Sequence, residues 1–251
     1  MKTLAAAERG VAARAGVAGR RRERLFYSGM AVAFALTVFA GFARTYYLRP
    51  YFDQQPLIAL LRLHGVVFTS WIVLLLTQMA LVAARRTALH RRLGIAGGVL
   101  AALMIVVGVT TGLVRAKGFD VPPGTPSPLV FLTIPLGDML VFAILVGAGF
   151  YFRRRTDVHK RLMLLATIAI LPAAVARIPF EFMKTASALT SFLLSDLFII
   201  PCLLHDLFTR GRFHRVTILG GLLIVVSHLL REPIGNTQAW LAFATWLTQW
   251  F

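Results

Sequence analysis

The chain has 251 residues, of which 58% are hydrophobic and 15% charged, and its mean hydropathy is +0.74. A soluble domain of this length cannot bury so much apolar surface, so an ordinary water-soluble globular enzyme is excluded and a bilayer is the expected solvent. The formal charge of +17 does not imply a nucleic-acid partner, because the cations fall in short clusters between apolar runs.

In chain order, residues 1–24 are rich in Ala, Gly and Arg and read as a mobile, basic cytoplasmic tail. Apolar runs follow at 26–43, 57–84, 93–114, 129–152, 162–178, 190–208 and 216–230. Each is near the length of a bilayer's hydrocarbon core, the last being the shortest, and the first exceeds a signal-peptide core. Residues 25–237 are therefore expected to form an all-α, polytopic transmembrane bundle of seven spans. Residues 238–251 would make a helix of only about 21 Å, too short to cross. Trp240, Trp246 and Trp250 suit an aromatic helix lying at the interface.

Seven Lys or Arg precede the first span, and further clusters follow spans two, four and six. These segments hold 19 of the 27 cations and share one side if the spans alternate. By the positive-inside rule that side is the cytoplasm, which places the N-terminus inside a bacterial inner (plasma) membrane. Cys202 is the sole cysteine, which excludes an intrachain disulfide, a Cys-based zinc site and covalent c-type haem.

A basic, histidine-marked box recurs. RRTALHRRL begins at Arg85 and RRTDVHKRL at Arg154, 69 residues later; a looser copy surrounds His214. Each box enters a span, so the chain reads as three hairpins after an unpaired first helix. His90, Arg91, Arg92, His159, Lys160, Arg161, His214 and Arg215 are read as cytoplasmic anchors contacting anionic lipid phosphates, with Thr87, Thr156 and Asp157 as candidate helix caps.

Ionisable groups within spans cost roughly 2.5–3.5 kcal/mol each at a helix centre, so those retained need a reason. Arg62 and His64 lie in span two, Asp138 in span four and Asp196 in span six. Arg177, His228 and Arg231 close spans five and seven. All are expected in the outer third of the bilayer. Ion pairs such as Arg177 with Asp196 or Arg62 with Asp138 would neutralise them without any ligand. His64, Phe68, Trp71, Leu75 and Gln78 share one helix face, which should point inward. Ser191, Ser195, Cys202 and Asp206 make a second such face. Pro172 is expected to kink span five near Leu171.

Several readings fit this cluster. His64 and His228 could be the axial ligands of haem b, for transmembrane electron transfer; on the inner side, His205 could pair with His90, His159 or His214. Arg62, Arg177 and Arg231 could instead hold a small anionic or lipidic ligand, with Asp138 and Asp196 as proton or cation sites of a carrier. A metal could sit among His64, His228, Asp138 and Asp196. An assembly factor without chemistry of its own, working with respiratory-chain or assembly partners, is the remaining reading. No nucleophile–base set, phosphate-binding loop or dinucleotide fingerprint is present in the pattern, so no enzyme class is indicated.

The segments LHGVVFTSWIVLLLTQMALVAA, LHRRLG, HKRLMLLATIAILPAA and TQAWLAFATWLT resemble a group of uncharacterised bacterial multi-pass membrane proteins, from about Tyr46 to Phe251. That resemblance implies a fold and no activity. The HKRLM box is similar, more loosely, to boxes in membrane proteins of haem-copper oxidase maturation, and the layout resembles transmembrane b-type cytochromes. The second likeness implies haem. His90 and His159 depart from it, because they sit beside cations at the interface and not within spans.

Overall fold

A computed structural model describes residues 2–52, 55–117 and 127–250, with side chains described from residue 19 apart from those of residues 20 and 184. Among the described residues the chain is helical, without strands. Its long helices are α1 (Lys2–Phe42), α2 (Ala59–Ala83), α3 (Thr87–Ala116), α5 (Thr133–Tyr151), α6 (Thr156–Ile168), α8 (Ala188–Asp196), α9 (Ile199–Arg210), α10 (Arg215–Gly235) and α11 (Gln238–Thr248). Two single turns, α4 (Pro128–Phe131) and α7 (Pro172–Val175), extend neighbouring helices. Among the described residues, seven segments are long and apolar enough to cross a bilayer: Arg21–Tyr47, Ala59–Ala83, Thr87–Ala116, Pro128–Tyr151, Thr156–Val175, Ala188–Arg210 and Arg215–Gly235. The protein is an integral membrane helical bundle. Residues 2–24, expected as a tail, are helical and run without interruption into the first span.

Three spans are broken, where the pattern called for one break. Proline lacks an N–H and its ring crowds the carbonyl four residues back. Pro172 ends α6 at Ile168, Pro135 separates α4 from α5 at Leu132, and Pro201 separates α8 from α9 at Leu197–Phe198. Each break falls within a turn of the expected carbonyl.

The fifth span is the hub: 72% of its apolar window is buried, against 28–44% for the other six. It packs against α1, α5 and α10, and the fully buried Phe34, Phe142, Leu165, Ile168 and Ile224 fill the space between them. Gly41 lets α1 approach this span, since a Cβ there would lie 2.1 Å from the Ala174 carbonyl oxygen. The inward face foreseen on α2 is present: Trp71 and Leu75 are buried, and Trp71 Nε1–H donates to Thr167 Oγ1 at 3.1 Å. Ser191, Ser195, Cys202 and Asp206 are likewise buried. α11 is capped by Thr237 Oγ1, which accepts from Trp240 N–H at 3.1 Å, and Trp240 Nε1–H donates to the Leu129 carbonyl at 2.8 Å.

Candidate functional site

One helix, α10, gathers the buried charges. Thr217, His228 and Arg231 stand 11 and 14 residues apart, near whole helical turns, so they share one inward stripe. All three are buried. Along this stripe the helix meets Asp206, Asp196 and Asp138 in turn, one acid from each of α9, α8 and α5.

At the end away from the basic turns, His228 Nδ1 lies 2.9 Å from Asp196 Oδ1, and its ring stacks on Phe192 with centroids 4.6 Å apart. Arg231 Nη2 lies 3.3 Å from Asp138 Oδ1. Its Nη1 donates to the Thr133 and Ile134 carbonyls at 2.8 and 2.6 Å. Nε and Nη2 donate to Ser227 Oγ at 3.2 and 2.9 Å. Each guanidinium nitrogen thus donates at least one hydrogen bond, and Arg231 fastens α10 to the start of α5. Gly137 makes the seat, since a Cβ there would be 1.9 Å from Nη1.

These pairings replace the ones expected from sequence. Asp196 pairs with His228 and not Arg177; Asp138 pairs with Arg231 and not Arg62. Arg177 donates to the Ala173 carbonyl at 2.5 Å and lies over the Phe42 ring, while Arg62 is exposed. The reason is register: α10 packs on both α5 and α8, so its two bases reach both acids first. Ser227, Thr133, Gly137 and Phe192 were not singled out by sequence. Only Ser227 carried a signal, being one helical turn before Arg231.

His64 stands apart. Its ring stacks on Phe68, with centroids 4.1 Å apart, and its Nδ1 is buried without a hydrogen-bond partner. Nothing described joins it to His228. Asp138 Oδ1 and Asp196 Oδ2 are also buried without a hydrogen bond, although Asp138 keeps its ion pair. Among the described residues no three His, Cys, Asp or Glu side chains group closely enough to hold a metal ion.

A second network occupies the basic end. Arg161 Nε donates to Asp206 Oδ1 at 3.0 Å, with Nη2 on the same oxygen, and Nη1 donates to the Asp157 carbonyl at 2.6 Å. Thr217 Oγ1–H donates to Asp206 Oδ2 at 2.6 Å. Arg161, expected as a lipid anchor, is therefore buried and holds α6 against α9. Lys160 pairs with Glu23 of α1.

The three box histidines do three different things. His159 Nδ1 bonds the Gly149 carbonyl at 2.8 Å. His90 Nδ1 is buried with no hydrogen-bond partner, while its carbonyl accepts from Gln78 Nε2 at 3.3 Å. His214 caps α10: its Nδ1 accepts from Val216 N–H at 3.1 Å, and Nε2 lies 3.3 Å from Asp157 Oδ2. The threonine caps foreseen for α3 and α6 do not form; Arg86 and Arg155 hold those positions without a side-chain bond. Arg91, Arg92 and Arg215 are exposed, as anchors would be.

No protein-family model matches this chain, and no curated protein and no solved structure matches it either.

Proposed function

We propose that this bundle binds or carries a small anionic or lipidic ligand, with Asp138, His228 and Asp196 as its protonatable centre. The observation behind this is that two buried carboxylate oxygens, Asp138 Oδ1 and Asp196 Oδ2, make no hydrogen bond. A buried acceptor left unfilled costs about 1–3 kcal/mol, so it is retained where a proton or a ligand donor fills it in use. With the Arg231 guanidinium held by Asp138, Ser227 and the Thr133 and Ile134 carbonyls, Arg62 and Arg177 are the cations of the expected pocket left to meet an anion. The three proline breaks add the discontinuous helices on which carriers build midplane sites. Proteoliposome uptake of small carboxylates and phosphates, driven by an imposed pH gradient, tests this. Uptake that ignores the gradient and survives Asp196→Asn would remove the reading.

One observation favours haem as a second reading. Asp196 engages His228 through Nδ1, which leaves Nε2 as the ring nitrogen for a metal; ligating histidines are commonly oriented by such a carboxylate. A haem bound there would supply one-electron transfer, while Asp196 would hold the ring's orientation. Absorption spectra of the oxidised and dithionite-reduced protein decide: a colourless, folded preparation from haem-replete cells sinks this reading.

A further inference from the structure

A groove of about 550 Å³ runs along the lipid-facing side of the α2–α3 hairpin. Thr69, Val73 and Thr77 of α2 and Leu93, Ala96 and Leu100 of α3 are among its walls. Its hydroxyls are already spent. Thr69 Oγ1 bonds Tyr47 Oη at 2.8 Å, Ser70 Oγ–H donates to the Val66 carbonyl, and Thr77 Oγ1–H to the Val73 carbonyl. What remains for an occupant is an apolar trough inside the hydrocarbon layer, which suits an acyl chain.

The basic end of that trough is chemically different. Arg92, Ala96 and Leu100 follow i, i+4, i+8, so Arg92 lies on the groove's own face, one turn beyond Ala96. On α2 the face carrying Val73 and Thr77 reaches the turn at Ala84 and Arg85 two helical turns later. Arg85, Arg86, Arg91 and Arg92 are all exposed, and none has a side-chain hydrogen bond or ion pair among the described residues.

Arg85 carries a further mark. Arg85 N–H donates to the Val82 carbonyl and Arg86 N–H to the Leu81 carbonyl, which is the hydrogen-bond pair of a Schellman helix end. That motif needs a left-handed residue, and Arg85 has φ 59°. Glycine is the residue that adopts this conformation without a steric cost, and Gly211 does so at the end of α9 with φ 67°. An arginine at this position accepts backbone strain at the turn that joins the two helices lining the groove.

We infer that the α2–α3 hairpin is a specific binding site for an anionic phospholipid: one acyl chain lies in the groove, and the headgroup phosphate sits against Arg85 and Arg92, with Arg86 and Arg91 beside it. This differs from diffuse attraction to a charged surface, because it requires both the trough and these particular arginines. It is independent of the ligand proposed for the opposite end.

The test uses the full chain in nanodiscs of equal phosphatidylglycerol and phosphatidylcholine, followed by detergent extraction and native mass spectrometry of the retained lipid. The wild-type protein retains phosphatidylglycerol over phosphatidylcholine. Arg85→Gly with Arg92→Gln lowers that preference roughly tenfold or more. Ala96→Phe fills the exposed trough, leaves the charge intact, and lowers retention as well. Arg153→Gln with Arg154→Gln, at the turn before α6, leaves it unchanged. Equal retention of the two lipids overturns the inference. So does full retention by Ala96→Phe, or an equal loss in the Arg153/Arg154 variant, which would reveal unspecific charge attraction.

Discussion

His228 Nδ1 lies 2.9 Å from Asp196 Oδ1, and that contact ties α10 to the upper piece of a span that Pro201 has broken. A broken span has lost part of its backbone ladder, so side-chain contacts carry more of its placement. Asp196→Ala is expected to destabilise the protein by about 1–3 kcal/mol, because His228 is left buried without its acceptor. His228→Ala added to that background should cost less than His228→Ala alone, since the partner has already gone. Denaturant unfolding in detergent of the two single variants and the double variant reads the coupling directly.

The Arg161–Asp206 pair is the most deeply buried ion pair described, with side chains 5% and 1% exposed. Removing one partner strands a charge, so Arg161→Met or Asp206→Asn should each cost about 3–5 kcal/mol. Arg161→Met combined with Asp206→Leu should cost distinctly less than either effect doubled. Thermal unfolding followed by circular dichroism distinguishes these outcomes.

Three glycines make a graded set. At Gly137 a Cβ would meet the Arg231 guanidinium, and at Gly41 it would meet the Ala174 backbone, whereas Gly147 has nothing within 4 Å. Gly41→Ala and Gly137→Ala are expected to lose about 1–3 kcal/mol, the backbone clash being the harder to relieve. Gly147→Ala should gain roughly 0.5–1 kcal/mol from helix propensity. A ranking in which Gly147→Ala is the most damaging would contradict the packing described.

His214 gives a pH dependence with a defined sign. Its Nδ1 accepts the Val216 N–H, so the cap needs that nitrogen unprotonated. Burial, helped by Arg161 and Arg210, holds its pKa below the ordinary histidine range, while Asp157 and Asp206 pull the other way. The unfolded chain therefore takes up the proton first. The cap's contribution is whole above about pH 6.5 and is lost as the pH falls below it. Intrinsic amide exchange slows in acid, so the readout is protection relative to that rate, and protection at Val216 and Thr217 should fall as the pH drops below about 6.5. His214→Asn keeps a cap that does not titrate, and its protection should lack that fall.

Arg85→Gly should raise stability by about 1 kcal/mol, because the left-handed backbone no longer carries a Cβ. The same substitution should weaken phosphatidylglycerol retention. A gain in melting temperature without a loss of lipid would separate the strain from the binding site.

The architecture was legible because its determinants are local. Apolar run length sets the seven spans, and proline chemistry sets where a helix must yield: at Pro172, the break expected from sequence, and equally at Pro135 and Pro201. The i, i+4, i+7 rows of α2 and the polar row of spans six face inward because helical periodicity alone decides which residues share a face. His64, Asp138, Asp196, His228 and Arg231 stood out because charge within a span is costly wherever it sits.

Which charge meets which was not legible. Arg62 and Arg177 looked like equal candidates for the two acids, and Arg161 looked like one more surface cation in a repeated box. Helix packing decided otherwise: α10 lies against α5, α6, α8 and α9 together, so His228, Arg231 and Thr217 reach three acids that are 68 residues apart in the chain at their extremes. The near-identical boxes diverge for the same reason, since His90, His159 and His214 enter different neighbourhoods. Run length and periodicity are properties of one helix, fixed by its own residues; a pairing depends on the rotation and depth of two, and only their packing sets that.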